Sequence, residues 1–221
     1  MKADGQTLKT IIFDCGRVIT FDQDMKLAAR MAALVGAPTD HFIRVYAEER
    51  GEYDRGTLSA ADYWASVAAR FGAEVCGAGG DKAAALAALI ELDLRSWFTI
   101  NPETIAIVRQ LKARGYRLLI LSNMNLEGKL RMLGEARYLD GEDWIALFDE
   151  VIVSCDLKLL KPEPAIYAAS LELAKAQAGE CLFIDDNPAN VEAARDFGMK
   201  ALIFTGAAQL AAALRKEYGA L

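Results

Sequence analysis

Ile11-Ile12-Phe13-Asp14-Cys15-Gly16-Arg17-Val18-Ile19-Thr20 is an apolar run that breaks off in a carboxylate followed by a glycine. Ile11 to Phe13 are β-formers, too few for a helix, and read as a buried strand. Gly16 permits a tight turn just past the strand end, which leaves the Asp14 carboxylate at the carboxyl edge of a sheet. In open α/β sheets that edge is where ligands bind. Taken alone, Asp14 reads equally as a solvated aspartate at an ordinary strand end.

From residue 99 onward the pattern alternates helix and strand. Asn101-Pro102-Glu103 is a helix start, with asparagine as cap and proline at the first helical position, and Gly115 ends that helix. Residues 117–121 form a strand ending in Ser122-Asn123, and 150–153 form another, reached after an irregular stretch around Gly141 and Trp144. Lys161-Pro162-Glu163-Pro164 precedes a helix, and 181–184 is a strand ending in Asp185-Asp186. Asn187-Pro188 starts a helix to Phe197, and 200–204 is the last strand. Strands alternating with helices imply right-handed crossovers and a parallel sheet covered by helices on both faces, an α/β, Rossmann-like architecture.

The segment between these parts has helical periodicity. Residues 24–35 carry a helical apolar stripe stopped by Gly36-Ala37-Pro38, and Thr39-Asp40 is placed to cap a second helix through Phe42, Val45 and Tyr46. Ser59 caps a third helix, with Tyr63, Trp64, Val67 and Phe71 as its core stripe, and Asp81 caps an alanine-rich fourth to about Leu94. Glycines precede a lysine in residues 76–82, CGAGGDK, but a phosphate loop needs a strand before it and here a helix precedes, so a linker is expected. The sequence thus divides into a core of 1–21 plus 99–221 and a helical insert of 22–98.

Composition narrows the chemistry. The 221 residues suit one large domain or one domain with an insert. Net charge is −6 and no dense basic run occurs, which argues against nucleic acid as a partner. No apolar run reaches membrane-spanning length and the start, MKADGQTLKT, lacks a signal-peptide segment, so a cytoplasmic protein without membrane partners is expected. The four cysteines have no CxxC spacing and His41 is the only histidine, which excludes a thiolate zinc cluster and disfavours a serine-histidine triad. Any metal should be held by oxygen, which points to Mg²⁺.

In a parallel sheet, Asp14, Ser122, Lys161 and Asp185-Asp186 all project toward one edge. Three converging carboxylates repel and stay ionised only if cations offset them. A Mg²⁺ ion and Lys161 would supply that charge, and the site could then accept a phosphate dianion.

These residues resemble the four ordered motifs of the haloacid dehalogenase-like hydrolase superfamily: FDCGRVI, LSN with Ser122, Lys161 in KPEPAIY, and FIDDNPANVEAA. The insert lies where that superfamily places a small cap domain. The chain is similar to the branch containing the epoxide hydrolase amino-terminal domain and glucose-1-phosphate phosphatases, a similarity shared by residues 54–59. The resemblance implies a Mg²⁺-dependent phosphatase for a small phosphorylated metabolite such as a sugar phosphate. Asp14 would be the nucleophile and form an aspartyl-phosphate. Asp14, the Gly16 carbonyl and Asp186 would hold Mg²⁺, with Asp185 acting through water or on Lys161. Ser122 and main-chain N–H groups near Cys15, Gly16 and Asn123 would hold phosphoryl oxygens, Lys161 would neutralise charge, and Asn190 would support the fourth motif.

One position departs from the pattern. Phosphatases of this superfamily usually carry a second aspartate two residues after the nucleophile, and here that residue is Gly16. General acid–base help is worth on the order of a hundred- to ten-thousand-fold. Its loss favours leaving groups that depart readily, or a substitute acid from the insert near Glu52, Asp54 or Arg55, with Arg55 also placed to bind substrate. It also leaves open a weakly active binding protein, or a metal-independent 2-haloacid dehalogenase in which Asp185-Asp186 would have no evident purpose.

Overall fold

The computed structural model describes residues 7–75 and 80–221. In chain order, β1 (Thr10–Phe13) leads into five helices, α1 (Met25–Leu34), α2 (Thr39–Glu48), α3 (Arg50–Arg55), α4 (Ala60–Ala69) and α5 (Lys82–Trp97). Then follow α6 (Pro102–Ala113), β2 (Arg117–Ser122), α7 (Leu126–Leu133) and a small hairpin, β3 (Tyr138–Leu139) with β4 (Glu142–Asp143). The chain ends with β5 (Glu150–Val153), α8 (Ser154–Leu157), α9 (Pro164–Ala174), β6 (Cys181–Asp185), α10 (Pro188–Asp196), β7 (Lys200–Ile203) and α11 (Ala207–Lys216).

The main sheet has five strands in the order β5-β2-β1-β6-β7, and every pairing is parallel. Side-chain alternation decides which face each residue serves. Ile11, Phe13, Leu118, Ile120, Leu182 and Ile184 pack on one face with Ile105, Val108 and Leu111 of α6 and Leu210 and Leu214 of α11. Ile12, Leu119, Leu121 and Phe183 pack on the other with Ile166 and Tyr167 of α9 and Val191 and Ala194 of α10. With both faces covered, continuous apolar runs such as LLIL in β2 are what the fold requires. The strand order reverses at β1, which makes the β1/β6 boundary the switch point where a crevice opens. Register places the chemistry there: Phe13 pairs with Ile184 and with Ile120, so Asp14, Asp185 and Ser122 leave adjacent strand ends together.

Helices α1 to α5 have an apolar cluster of their own, built around Met31, Phe42, Tyr46, Tyr63 and Trp64. The two chain crossings at its root are stitched by a bridge between Thr20 and Ile100, with Phe21 N–H donating to Thr99 O and Asn101 N–H to Ile19 O, both at 2.8 Å. Ser59 and Asp81 cap α4 and α5 as expected. Thr39 and Asp40 do not cap α2: Pro38 occupies the cap position and both lie inside the first turn. Glu49 separates α2 from α3, a short helix that sequence periodicity did not separate from its neighbour. Helices α7, α8 and α11 were not anticipated either. In α7 the apolar residues Leu126, Leu130 and Leu133 face solvent, and Gly128 sits inside the helix where a Cβ would lie 2.9 Å from Met124 Cγ. Its leucines do recur at helical spacing, but the helix has only eight residues, holds a glycine at its third position and leaves its apolar side to solvent instead of a core. Residues 76–79 of the glycine-rich stretch lie outside the described residues, and Lys82 opens α5.

Where α3 ends, Gly56 adopts φ 74° and lies directly on α8: a Cβ there would come within 2.9 Å of Cys155 Cβ and 3.0 Å of its Cα. Both strain and collision oppose any side chain. Gly56→Ala should destabilise the protein by about 1–3 kcal/mol, read as a lower urea midpoint; an unchanged midpoint would mean that this junction is looser than described.

Candidate active site

Asp14 follows β1 directly and is buried, with its own Oδ1 accepting the Cys15 N–H at 2.7 Å. The left-handed residue in the turn is Arg17 (φ 61°), not Gly16, whose nearest neighbour to an added Cβ is Trp97 Cζ3 at 3.9 Å. Glycine at position 16 is therefore demanded neither by backbone angle nor by a close clash, and the turn would accept a side chain.

Lys161 enters from the loop before α9. Its main chain is clamped by Asn123, whose Oδ1 accepts the Lys161 N–H and whose Nδ2 donates to the Lys161 carbonyl, each at 2.9 Å. The buried ammonium lies 2.8 Å from Asp14 Oδ1 and 2.7 Å from Asp185 Oδ2. Asp185 is completely buried and fully engaged: Asn190 Nδ2 donates to both its oxygens at 3.1 Å, and Asn187 N–H to Oδ1 at 2.8 Å. Of the two possibilities left open for Asp185, this geometry favours action on Lys161. Asp186 is more open and meets Arg17 Nη1 at 3.4 Å.

Electrostatics follow from the count of charges. Burial, with Asp185 and Asp186 adding to it, pushes the Asp14 carboxyl up to about 7 against the pull of Lys161. Burial opposes the Lys161 ammonium, but Asp14 and Asp185 outweigh it and hold its pKa above the usual range. Burial and Asp185 raise Asp186 as well, with Arg17 working the other way.

Oxygens of Asp14, Asp185 and Asp186 all lie within 4.8 Å of one another. The donor set fits a hard divalent cation: all are carboxylates, Cys15 Sγ points to Met132, and the buried Asn190 Oδ1 has no hydrogen-bond partner among the described residues. The Gly16 carbonyl is likewise not taken up by any hydrogen bond among the described residues.

Asp14, Gly16, Lys161, Asp186 and Asn190 line a cavity of about 620 Å³ together with Ser122, Asn123 and residues of α2, α3 and α5, with Asp185 buried behind them. Arg55, expected to bind substrate, does not line it. Arg55 instead pairs with Glu163 at 2.6 Å and Glu52 at 3.2 Å, and donates to the Lys158 carbonyl, pinning α3 to the loop that carries Lys161. Glu52 is also outside the cavity, whereas Asp54 lines it and is held by Arg50 at 3.1 Å and by Asn125 Nδ2 at 3.1 Å. The Cys15 N–H is occupied by Asp14, so among the three main-chain donors expected for phosphoryl oxygens it is the one already engaged.

Sequence reasoning named Asp54 but missed the rest of the wall to which it belongs. Arg50 bridges Asp54 and the buried Asp93 (3.0 Å), Tyr46 donates to Asp93, and Trp97 Nε1 donates to Tyr46 Oη at 2.9 Å. The signal was present as four-residue spacing, Tyr46/Arg50/Asp54 and Asp93/Trp97, which sets polar groups on the same side of successive turns.

The profile of the haloacid dehalogenase-like hydrolase family matches residues 8–198. The chain belongs to that family, and it is a hydrolase. Among curated relatives, bifunctional epoxide hydrolase 2 of Rattus norvegicus is 31% identical over 124 residues, 55% of this chain and 22% of that protein. Phosphatase MT3486 of Mycobacterium tuberculosis is 30% identical over 115 residues, 52% of this chain and 51% of that protein. The matched stretch thus spans about a fifth of the rat protein and half of the mycobacterial one. Among solved structures, a HAD family enzyme of Bacteroides thetaiotaomicron, crystallised in complex with magnesium and inorganic phosphate, superposes with a TM-score of 0.69 at 20% identity, covering 89% of this chain and 93% of that one.

The Asp14 shift has a sign that can be measured. A carboxyl raised in the folded protein contributes stability that is complete below its unfolded value of 3.8 and is lost as pH rises through about 7. With divalent cations chelated, stability should therefore fall between pH 4 and 7, and Asp14→Asn should flatten that slope in urea unfolding. Identical slopes for both proteins would contradict the assigned shift.

Proposed function

We propose that this chain is a Mg²⁺-dependent phosphatase acting on a small phosphorylated metabolite through an aspartyl-phosphate on Asp14. The observation that carries it is the buried Asp14 carboxylate, bridged to Asp185 by Lys161 at 2.8 and 2.7 Å beside a second carboxylate, Asp186. The relatives that are phosphatases or bind magnesium and phosphate support the same reading.

In this account Asp14 attacks phosphorus, the ester P–O bond breaks and the leaving oxygen departs as an alkoxide that takes its proton from water. Water then attacks the phosphorus of the aspartyl-phosphate, releasing phosphate and restoring Asp14. Ser122 and the main-chain N–H groups of Gly16 and Asn123 bind phosphoryl oxygens, and Lys161 offsets the charge that builds on them. Asp14, Asp186 and the Gly16 carbonyl hold Mg²⁺, which when bound balances the carboxylates and polarises the phosphoryl group. Asp185 and Asn190 orient Lys161, and Asn123 fixes its main chain. Residues 22–98 serve as a cap that excludes water from the crevice and carries selectivity.

Two other readings keep a specific motive, the Gly16 that replaces an acid: a binding protein with little turnover, and a 2-haloacid dehalogenase. A dehalogenase leaves the Asp186 carboxylate without a task. Phosphate release from p-nitrophenyl phosphate should require Mg²⁺ and fall at least about a thousandfold in Asp14→Asn, with no halide released from chloroacetate. Asp186→Ala should weaken Mg²⁺ binding at least about tenfold in calorimetry, since one charged ligand is lost. Metal-independent halide release, or full phosphatase rates in Asp14→Asn, would overturn the proposal.

A further inference from the structure

The cavity has two unlike halves. Asp14, Ser122, Lys161 and Asp186 form the reactive floor, whereas α2, α5 and the link that follows contribute an apolar patch of Ile43, Ala47, Leu94, Trp97 and Phe98 beside the polar wall of Tyr46, Arg50, Asp54 and Asp93. Trp97 stands where the halves meet, since its ring carbon Cζ3 lies 3.9 Å from the point at which a side chain on Gly16 would begin. Its orientation is fixed because the indole N–H donates to Tyr46 Oη at 2.9 Å, and Tyr46 is in turn held by Arg50 and Asp93. The position that a carboxylate would occupy in many relatives is thus bordered by a rigid, partly exposed aromatic ring.

Charge in the same cavity argues against a second anion. Its lining cations are Lys161, Arg17 and Arg50, and its lining carboxylates are Asp14, Asp54, Asp93 and Asp186. Each cation is already paired: Lys161 with Asp14, Arg17 with Asp186, and Arg50 with both Asp54 and Asp93. A Mg²⁺ ion and one phosphate would use the floor, and a second phosphate or a carboxylate on the leaving group would meet Asp54 and Asp93 without an uncommitted cation. Asp54, the more exposed of the two, can accept a hydrogen bond from a hydroxyl group at no such cost.

We infer that Trp97 is the specificity-determining residue of this crevice, stacking on a ring in the leaving group, and that the substrate is the monophosphate of an uncharged, ring-bearing alcohol. The inference rests on the phosphatase proposal and deepens it. An aromatic face against a ring adds a contact that an open-chain alcohol cannot make.

Two measurements test it. In the first, phosphate release from phenyl phosphate and glucose 1-phosphate is compared with release from glycerol 3-phosphate and fructose 1,6-bisphosphate. Trp97→Ala should lower kcat/KM for the ring monophosphates roughly tenfold, the size of one stacked aromatic contact, and change glycerol 3-phosphate less than about twofold. Trp97→Phe should restore most of the loss, and the unaltered protein should prefer either ring monophosphate to the bisphosphate at least tenfold. An equal fall for all esters, or a bisphosphate used as well as the monophosphates, overturns the inference.

The second measurement needs no turnover. Trp64 and Trp144 are completely buried, so among the three tryptophans Trp97 is the one that a quencher in the cavity can reach. In Asp14→Asn, glucose 1-phosphate should shield tryptophan fluorescence from acrylamide and glycerol 3-phosphate should shield it far less; equal shielding, or none, counts against Trp97. If no ester is hydrolysed at all, the phosphatase proposal fails, and the shielding experiment still decides whether Trp97 recognises a ring.

Discussion

One buried ammonium holds this site together. Lys161 is drawn from water into a crevice where it forms ion pairs with Asp14 and Asp185, at 2.8 and 2.7 Å. Desolvating a lysine costs several kcal/mol and is tolerated only with such partners. The rest of the core is arranged so that the partners exist. Parallel register sets Asp14 beside Asp185 at the switch point, Asn123 grips the Lys161 main chain from both sides, and Asn190 and Asn187 hold Asp185 in place against the ammonium. Because three carboxylates gather around one lysine, the site retains a net demand for positive charge. Burial is the main reason that the Asp14 and Asp186 carboxyls are raised; that demand adds to it and accounts for the fit of a divalent cation.

The helical segment meets the core through a fixed junction and an open wall. At the junction, Arg55 pairs with Glu163, Lys158 donates to the Gly56 carbonyl at 2.6 Å, and Ser154 Oγ donates to the Asp54 carbonyl at 2.5 Å. Glu163 is two residues from Lys161, so α3 is tied to the same loop that delivers the ammonium. The opposite wall, from α2 and α5, presents Trp97 and its neighbours to the nucleophile's turn.

Most of the core was legible because its signals are local. Apolar runs ending in Asp14, Ser122 and Asp185 announced the strands, and Asn101-Pro102 and Asn187-Pro188 announced helix starts that the structure places within a residue. Convergence of Asp14, Lys161, Asp185 and Asp186 followed from parallel topology alone. What escaped depends on tertiary contact. Helix α7 exposes its leucines, α8 is a single turn, and Arg55 is drawn away from the crevice by Glu163, a partner more than a hundred residues distant that no spacing rule reveals. Gly16 was assigned a backbone role that Arg17 fulfils instead, because the sequence shows a glycine but not which residue of the turn is left-handed.

The account's central claim is that Asp14 becomes covalently bonded to phosphorus, and the stereochemical course of transfer tests it most directly. A phosphate monoester made chiral at phosphorus with oxygen isotopes would be used as donor, with a small alcohol as acceptor. Two in-line displacements through Asp14 predict overall retention of configuration at phosphorus. Net inversion would show a single displacement and would contradict the account.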